Sequence, residues 1–441
     1  MKIHHALSTF ANGARLVTAQ VSTAESVSAG IWLTVGGRHE PDALSGCFHF
    51  LEHMVFKGTK KRSALRISAD IEDVGGSINA FTAEDHTCFY AHATVKHLPR
   101  LLDVLFDMLR NPKLDPKEVI KEREVILEEI TSVMEQPAHR VTEILNGMMY
   151  PRHPLGRPIT GTKDSVSTID RSDLQNFLES FFQAGNMVIA VTGPLDHSTI
   201  RDLVTPYLRQ LPRGKRPRRR LWQSQQKHGS ALVVPQQGEQ AHLAMGFHTC
   251  GRHHPDHFAL RVLSVALGEI MASRLFQKLR ERRAFCYHIH SSVETGEETG
   301  NLVIQAALHP RKLHSAIELI WHELNDLAVR PMSAKELSRA KEYICGQNIL
   351  NLEGSKNQMY WIGECLCEYG KVLDPEEVEK EFRAVTQDRV LRLSQQIFQA
   401  HNLNTALLVP EQDFPLAQSL VSLNPTLYGY LTKQTSSVAP A

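Results

Sequence analysis

The chain has 441 residues, 42% of them hydrophobic and 22% charged, with 49 Lys and Arg against 48 Asp and Glu. Such a chain is an ordinary globular protein too long for one compact core, and a net charge of +1 supplies no bulk field for nucleic acid or a membrane surface. The start, Met1-Lys2-Ile3-His4-His5, lacks the apolar stretch of a secretory signal, there is no membrane-spanning apolar run, and the cysteine spacing forms no disulfide framework, so a reducing, cytoplasmic setting is expected.

Taken in chain order, residues 28–35 read as a strand and residues 44–56 as an apolar-rich helix, with Gly58 as its C-cap. Apolar spacings of three and four predict amphipathic helices over 98–109 and 174–182, and 187–191 reads as a further strand. Three segments then echo one another across the chain. Gly37-Arg38-His39-Glu40-Pro41-Asp42 recurs as Gly251-Arg252-His253-His254-Pro255-Asp256, and Lys117-Glu118-Val119 recurs as Lys335-Glu336-Leu337. Phe182-Gln183-Ala184-Gly185-Asn186 recurs as Phe398-Gln399-Ala400-His401-Asn402, all at an offset of about 216 residues. The order and near-constant offset predict a duplicated α+β protein, each half a mixed sheet with helices packed on it. The expected division is 1–211, a basic linker over 212–228, and 229–441. The run Pro212-Arg213-Gly214-Lys215-Arg216-Pro217-Arg218-Arg219-Arg220 sits at the repeat boundary, which favours a solvated linker over an anion-binding patch.

Residues 49–53 spell His-Phe-Leu-Glu-His. On a helix His49 and His53 lie one turn apart on one face, where two imidazoles can converge on a zinc ion. Glu52 borders that face and can act as general base without being a ligand, the reverse order of His-Glu-x-x-His. Alone, so short a motif is a modest signal, because two surface histidines beside a carboxylate are common. A third ligand is best supplied by the acidic segment 118–130. As a helix, it places Val119, Ile126 and Ile130 on one apolar stripe flanked by Glu122 and Glu129, with Glu128 turned to solvent. Glu129 is therefore the candidate ligand and Glu122 a candidate supporter of a ligating histidine. Cys47, off the histidine face, reads as a buried small residue.

Residues 46–59, Gly75-Gly76 with Ile78-Asn79-Ala80-Phe81-Thr82, and Glu122-Arg123 followed by Glu129 together resemble the pitrilysin/insulinase zinc metallopeptidases, in the mitochondrial-processing-peptidase-like branch with two homologous domains per chain. The likeness extends over roughly residues 10 to 410, with Phe48 departing from the small residue usual before the first ligand. It implies His49, His53 and Glu129 as zinc ligands and Glu52 as catalytic residue. It also implies that Arg280 and Tyr287, in the second half, contact substrate, with Asn79 and Ala80 holding its backbone beside a strand edge. The repeat maps His49, Glu52 and His53 onto Leu263, Ala266 and Leu267, and Glu129 onto Gln347, so one zinc site per chain is expected. The resulting expectation is a zinc-dependent endopeptidase cleaving short or unfolded peptides in a chamber, and a homodimer rather than a heterodimer. The competing readings are a partner or scaffold subunit with little activity alone, and a peptide-binding module with structural zinc.

Overall fold

The computed structural model describes residues 3–209, 211–214, 217 and 219–422. Lys215, Arg216 and Arg218 of the basic run, and the tail from 423 onward, lie outside the described residues. Strands and helices gather into two compact units.

The first unit is built on six strands: β1 (His5–Thr9), β2 (Arg15–Gln20), β3 (Ser26–Leu33), β4 (Ser77–Thr82), β5 (Thr87–Thr94) and β6 (Met187–Gly193). They lie in the order β1-β2-β6-β3-β5-β4, with β2 and β6 parallel and the other neighbours antiparallel. The middle strands are apolar at successive positions because both faces are covered. Val27, Ala29, Ile31 and Leu33 of β3 point to the core lined by α1 (Cys47–Val55), α2 (Ala64–Glu72) and α3 (Leu98–Arg110). Trp32 points the other way, with Val188 and Ala190 of β6, onto Met359, Ile362 and Leu366 of the helix Ser355–Glu368. That helix approaches closely because Gly363 carries no side chain; a Cβ there would lie 2.6 Å from the Trp32 ring.

The observed α1 lies inside the expected 44–56, but Gly58 is not its cap. Phe56 remains in the right-handed helical region as C-cap, and Gly58, at φ 116°, redirects the chain two residues later. The acidic segment is α4 (Pro116–Met134), opening on a proline whose missing N–H costs nothing in the first turn.

The second unit contains β7 (Ser230–Gln236), β8 (Ala241–Cys250), β9 (Cys286–Thr295), β10 (Thr299–Leu308) and β11 (Leu403–Pro410), in the order β7-β11-β8-β10-β9. β7 and β11 are parallel, so the order and sense reproduce β2-β6-β3-β5-β4 of the first sheet. One face of this sheet receives α5 (Pro137–Met149): a Cβ on Gly246 of β8 would meet Met149 and Leu145 within 3 Å. On the other face Phe247 packs edge-on against Trp321 and Phe398. The protein is thus a mixed α+β fold carrying two similar sheets. Each unit also takes in a segment from the other half of the sequence, 347–378 in the first and 133–152 in the second. All seven cysteines are free thiols.

Candidate metal centre

Helix α1 starts immediately after Gly46, whose φ of 91° favours glycine. No side chain at position 46 caps the first turn; instead the carboxylate of Glu40 accepts from the N–H of Gly46 at 2.8 Å and of Phe48 at 2.7 Å. Phe48 packs between Phe177 and Phe181, so the residue that departs from the family pattern is accommodated as core. The Cys47 thiol is pushed well up by burial and by the nearby Glu40 charge, which disfavours the thiolate a metal would need.

One turn apart on α1, the rings of His49 and His53 lie 4.6 Å between centroids. Glu129, half-exposed on α4, faces both: its oxygens are 3.7 Å from His49 Nε2 and 3.6 Å from His53 Nε2. All three donors lie within 4.8 Å of one another. These separations are too long for hydrogen bonds. They approach the roughly 3.4 Å between two ligands that each sit about 2.0–2.1 Å from a tetrahedral zinc ion. The donor set therefore fits the metal: two imidazoles and one carboxylate. Burial, then the charge of His53, lowers the His49 pKa to about 4, so at neutral pH it is the neutral, ligating form.

The Nδ1 of His53 donates to Glu122 Oε1 at 2.9 Å, which leaves the Nε2 lone pair free toward Glu129. Glu122 is buried on the stripe itself, with Val119, Ile126 and Ile130, rather than flanking it. Its other oxygen is 2.6 Å from Lys57 Nζ. Burial disfavours the Glu122 charge, but the hydrogen bonds from His53 and Lys57 outweigh it and hold the carboxyl below its usual pKa. Glu128 is exposed, as the helical phase requires. His49 has no such support among the described residues, where its buried Nδ1 meets no hydrogen-bond partner.

Glu52, one residue before His53, accepts from Thr82 Oγ1 at 2.6 Å. Burial raises its pKa, with the Thr82 bond and His53 opposing and Glu129 adding to the rise. Thr82 ends β4, the outermost strand of its sheet. Exposed Asn79 and half-buried Ala80 lie on the same strand, the Asn79 side chain accepting from the Ala80 N–H at 2.8 Å.

Within the second unit, Arg280 and Tyr287 are brought together. Arg280 leaves a π-helical turn, Phe276–Glu281, and its guanidinium lies 4.9 Å over the Tyr287 ring and 4.6 Å over Phe276. Tyr287, near the start of the edge strand β9, is 79% exposed.

Sequence reasoning passed over Glu40, Lys57 and Thr82. Lys57 stands four residues after His53, a spacing that could have drawn attention. Glu40 falls inside the repeated motif at a position where the two copies differ, Glu40 against His254.

Residues 15–163 match the model of the insulinase family, peptidase family M16, and residues 168–344 match the model described as the peptidase M16 inactive domain. The chain is 34% identical to an uncharacterized zinc protease of Mycobacterium tuberculosis, over 87% of this chain and 88% of that protein. It is 33% identical to an uncharacterized zinc protease of Bacillus subtilis, over 92% and 98%. The fold is similar to the crystal structure of a protease from Helicobacter pylori, with a TM-score of 0.87 at 21% identity, covering 93% of this chain and 100% of that one.

Proposed function

This chain belongs to the insulinase peptidase family, M16, and from that premise we propose that it is a zinc-dependent endopeptidase, with His49, His53 and Glu129 as ligands and Glu52 as general base. The observation that carries the reading is the convergence of three ligand atoms within 4.8 Å beside a carboxylate that is not one of them. Zinc held there by His49, His53 and Glu129 would supply Lewis-acid polarisation of the scissile carbonyl and would lower the pKa of water toward about 7.

Glu52 takes the proton from the attacking water and returns it to the leaving nitrogen. A carboxyl raised by burial suits that double task, since a base that must later act as an acid works best with its pKa near the working pH. The Thr82 hydroxyl fixes the direction of its Oε2. Glu122 orients His53. The free edge of β4 offers main-chain partners to an extended peptide, with Asn79 and Ala80 beside it. Arg280 and Tyr287 are substrate-binding residues in the same proposal. Short or unfolded peptides, a chamber enclosing them, a homodimeric assembly and a cytoplasmic setting belong to the same proposal. Among the described residues no helix is long and apolar enough to cross a membrane.

A partner-subunit role is the second reading, favoured by the match of residues 168–344 to a domain described as inactive. One experiment separates the two: zinc content and cleavage of a mixed unstructured-peptide library, for the purified protein and for Glu52→Gln. The peptidase reading expects about one zinc per chain in both, with cleavage only by the parent. Cleavage undiminished in the variant overturns the role of Glu52. Zinc without cleavage in either protein supports the partner role, and absence of zinc overturns the metal assignment.

A further inference from the structure

The chemistry above leaves one buried carboxylate near the centre without a task. Glu40 is 4% exposed, and each of its oxygens takes a backbone N–H from the start of α1, Gly46 and Phe48. Those are N–H groups left without helical acceptors at a helix start. The turn that carries Glu40 is tied down in its own right, because Arg157 donates to the Glu40 carbonyl at 2.7 Å and pairs with Asp42 at 2.9 Å. On the far side, a Cβ at Gly46 would lie 2.6 Å from the Thr160 carbonyl, so the helix start has no slack there.

The two histidines are not held alike. His53 is aimed by its hydrogen bond to Glu122, whereas among the described residues His49 Nδ1 meets no partner that could aim its ring. The backbone that carries His49 is held at Phe48, the residue before it, by the bond to Glu40. The internal repeat points the same way. Gly37 and Arg38 recur as Gly251 and Arg252, and both arginines are buried, so that part of the motif serves the fold in either half. Glu40 recurs as exposed His254, in the half whose ligand positions are Leu263 and Leu267. The carboxylate stands only where the histidines stand.

We propose that Glu40 is a positioning residue for the zinc site: by clamping the N–H groups of Gly46 and Phe48 it sets the first turn of α1 and thereby the approach of His49 to the ion. This rests on the metallopeptidase reading above. Glu40→Gln preserves shape but has one acceptor oxygen for two donors, and Glu40→Asp is too short to serve both. Zinc affinity of each variant, measured by competition with a chromophoric chelator and with circular dichroism as the check on folding, tests the role. We expect a folded Glu40→Gln protein that binds zinc about 10-fold to 100-fold more weakly, the range for residues that support a ligand. A folded variant with the affinity of the parent overturns the proposal. If Glu40→Gln does not fold, Glu40→Asp is judged by the same measurement, and loss of the fold in both makes Glu40 a stability element and equally overturns it. A parent that binds no zinc overturns the metallopeptidase reading instead, so the two failures are distinct.

Discussion

Glu122→Gln probes how much of the site's metal affinity resides outside the ligands. The carboxylate serves two donors at once, His53 Nδ1 at 2.9 Å on one oxygen and Lys57 Nζ at 2.6 Å on the other. An amide has a single acceptor oxygen, so one of those donors must then face an NH2 group. With Glu122 only 4% exposed, water cannot easily make good the loss. Removing such support costs about 10-fold to 100-fold in metal affinity, or roughly 1.4–2.7 kcal/mol. The shared geometry adds a sharper expectation. In a Lys57→Met background the amide can turn its oxygen to His53, so the two substitutions together should cost less than their sum. Competition titration with a chromophoric chelator on the parent, both single variants and the double variant completes the cycle. An affinity for Glu122→Gln within about twofold of the parent, or strictly additive losses, would refute the account of Lys57, Glu122 and His53 as one connected unit.

Two further expectations concern stability. Gly363→Ala places a methyl 2.6 Å from the Trp32 ring, and overpacking of this kind should cost about 1–3 kcal/mol, read as a lower urea midpoint; an unchanged midpoint would mean that the helix Ser355–Glu368 does not press on Trp32. Burial pushes Glu40 up to about 7 from an ordinary 4.5, against the opposing N–H groups of Phe48 and Gly46 and the charge of Arg157. A raised acid keeps its proton in the fold while the unfolded chain loses it, so its stabilising share is complete below 4.5 and is lost as the pH rises through 7. The stability difference between zinc-free Glu40→Gln and the parent should therefore move in the variant's favour by on the order of 3 kcal/mol as the pH rises from about 4 to 8, whatever its sign at low pH; urea titrations showing a pH-independent difference would contradict the buried ionisation.

What could be read from sequence was what lies within one element. Helical phase alone separates half-buried Glu129 from exposed Glu128, and it puts His49 and His53 on one face. The apolar-rich segments at β3 and β6 also announce themselves as strands. Contacts between distant segments left no such mark. Thr82 meets Glu52 through the packing of β4 beside α1, Glu40 meets Phe48 through a turn, and neither spacing is a periodicity. The exchange of segments between the units was equally hidden, since the composition of α5 does not say which sheet its apolar face covers.

If His49, His53 and Glu129 hold zinc as proposed, the second half shows how a repeat can keep the fold without the ligands. Its strands follow the same order, yet Leu263 and Leu267, at the ligand positions, are fully buried, so that face has been spent on the core. The backbone changed as well. Leu263 ends in the α-helix His257–Ser264, whereas Leu267 lies in the π-helical turn Val265–Glu269 that follows. A π turn closes i→i+5 bonds and widens the helix, so residues four apart across the junction no longer stack as His49 and His53 do on α1. Restoring histidines at 263 and 267 would place two imidazoles in a dry core on diverging directions, with Gln347 where the carboxylate should stand and no acid at position 254 to clamp the turn. In the proposed site a metal would rest on a regular α1 held at its start by Glu40 and at His53 by Glu122.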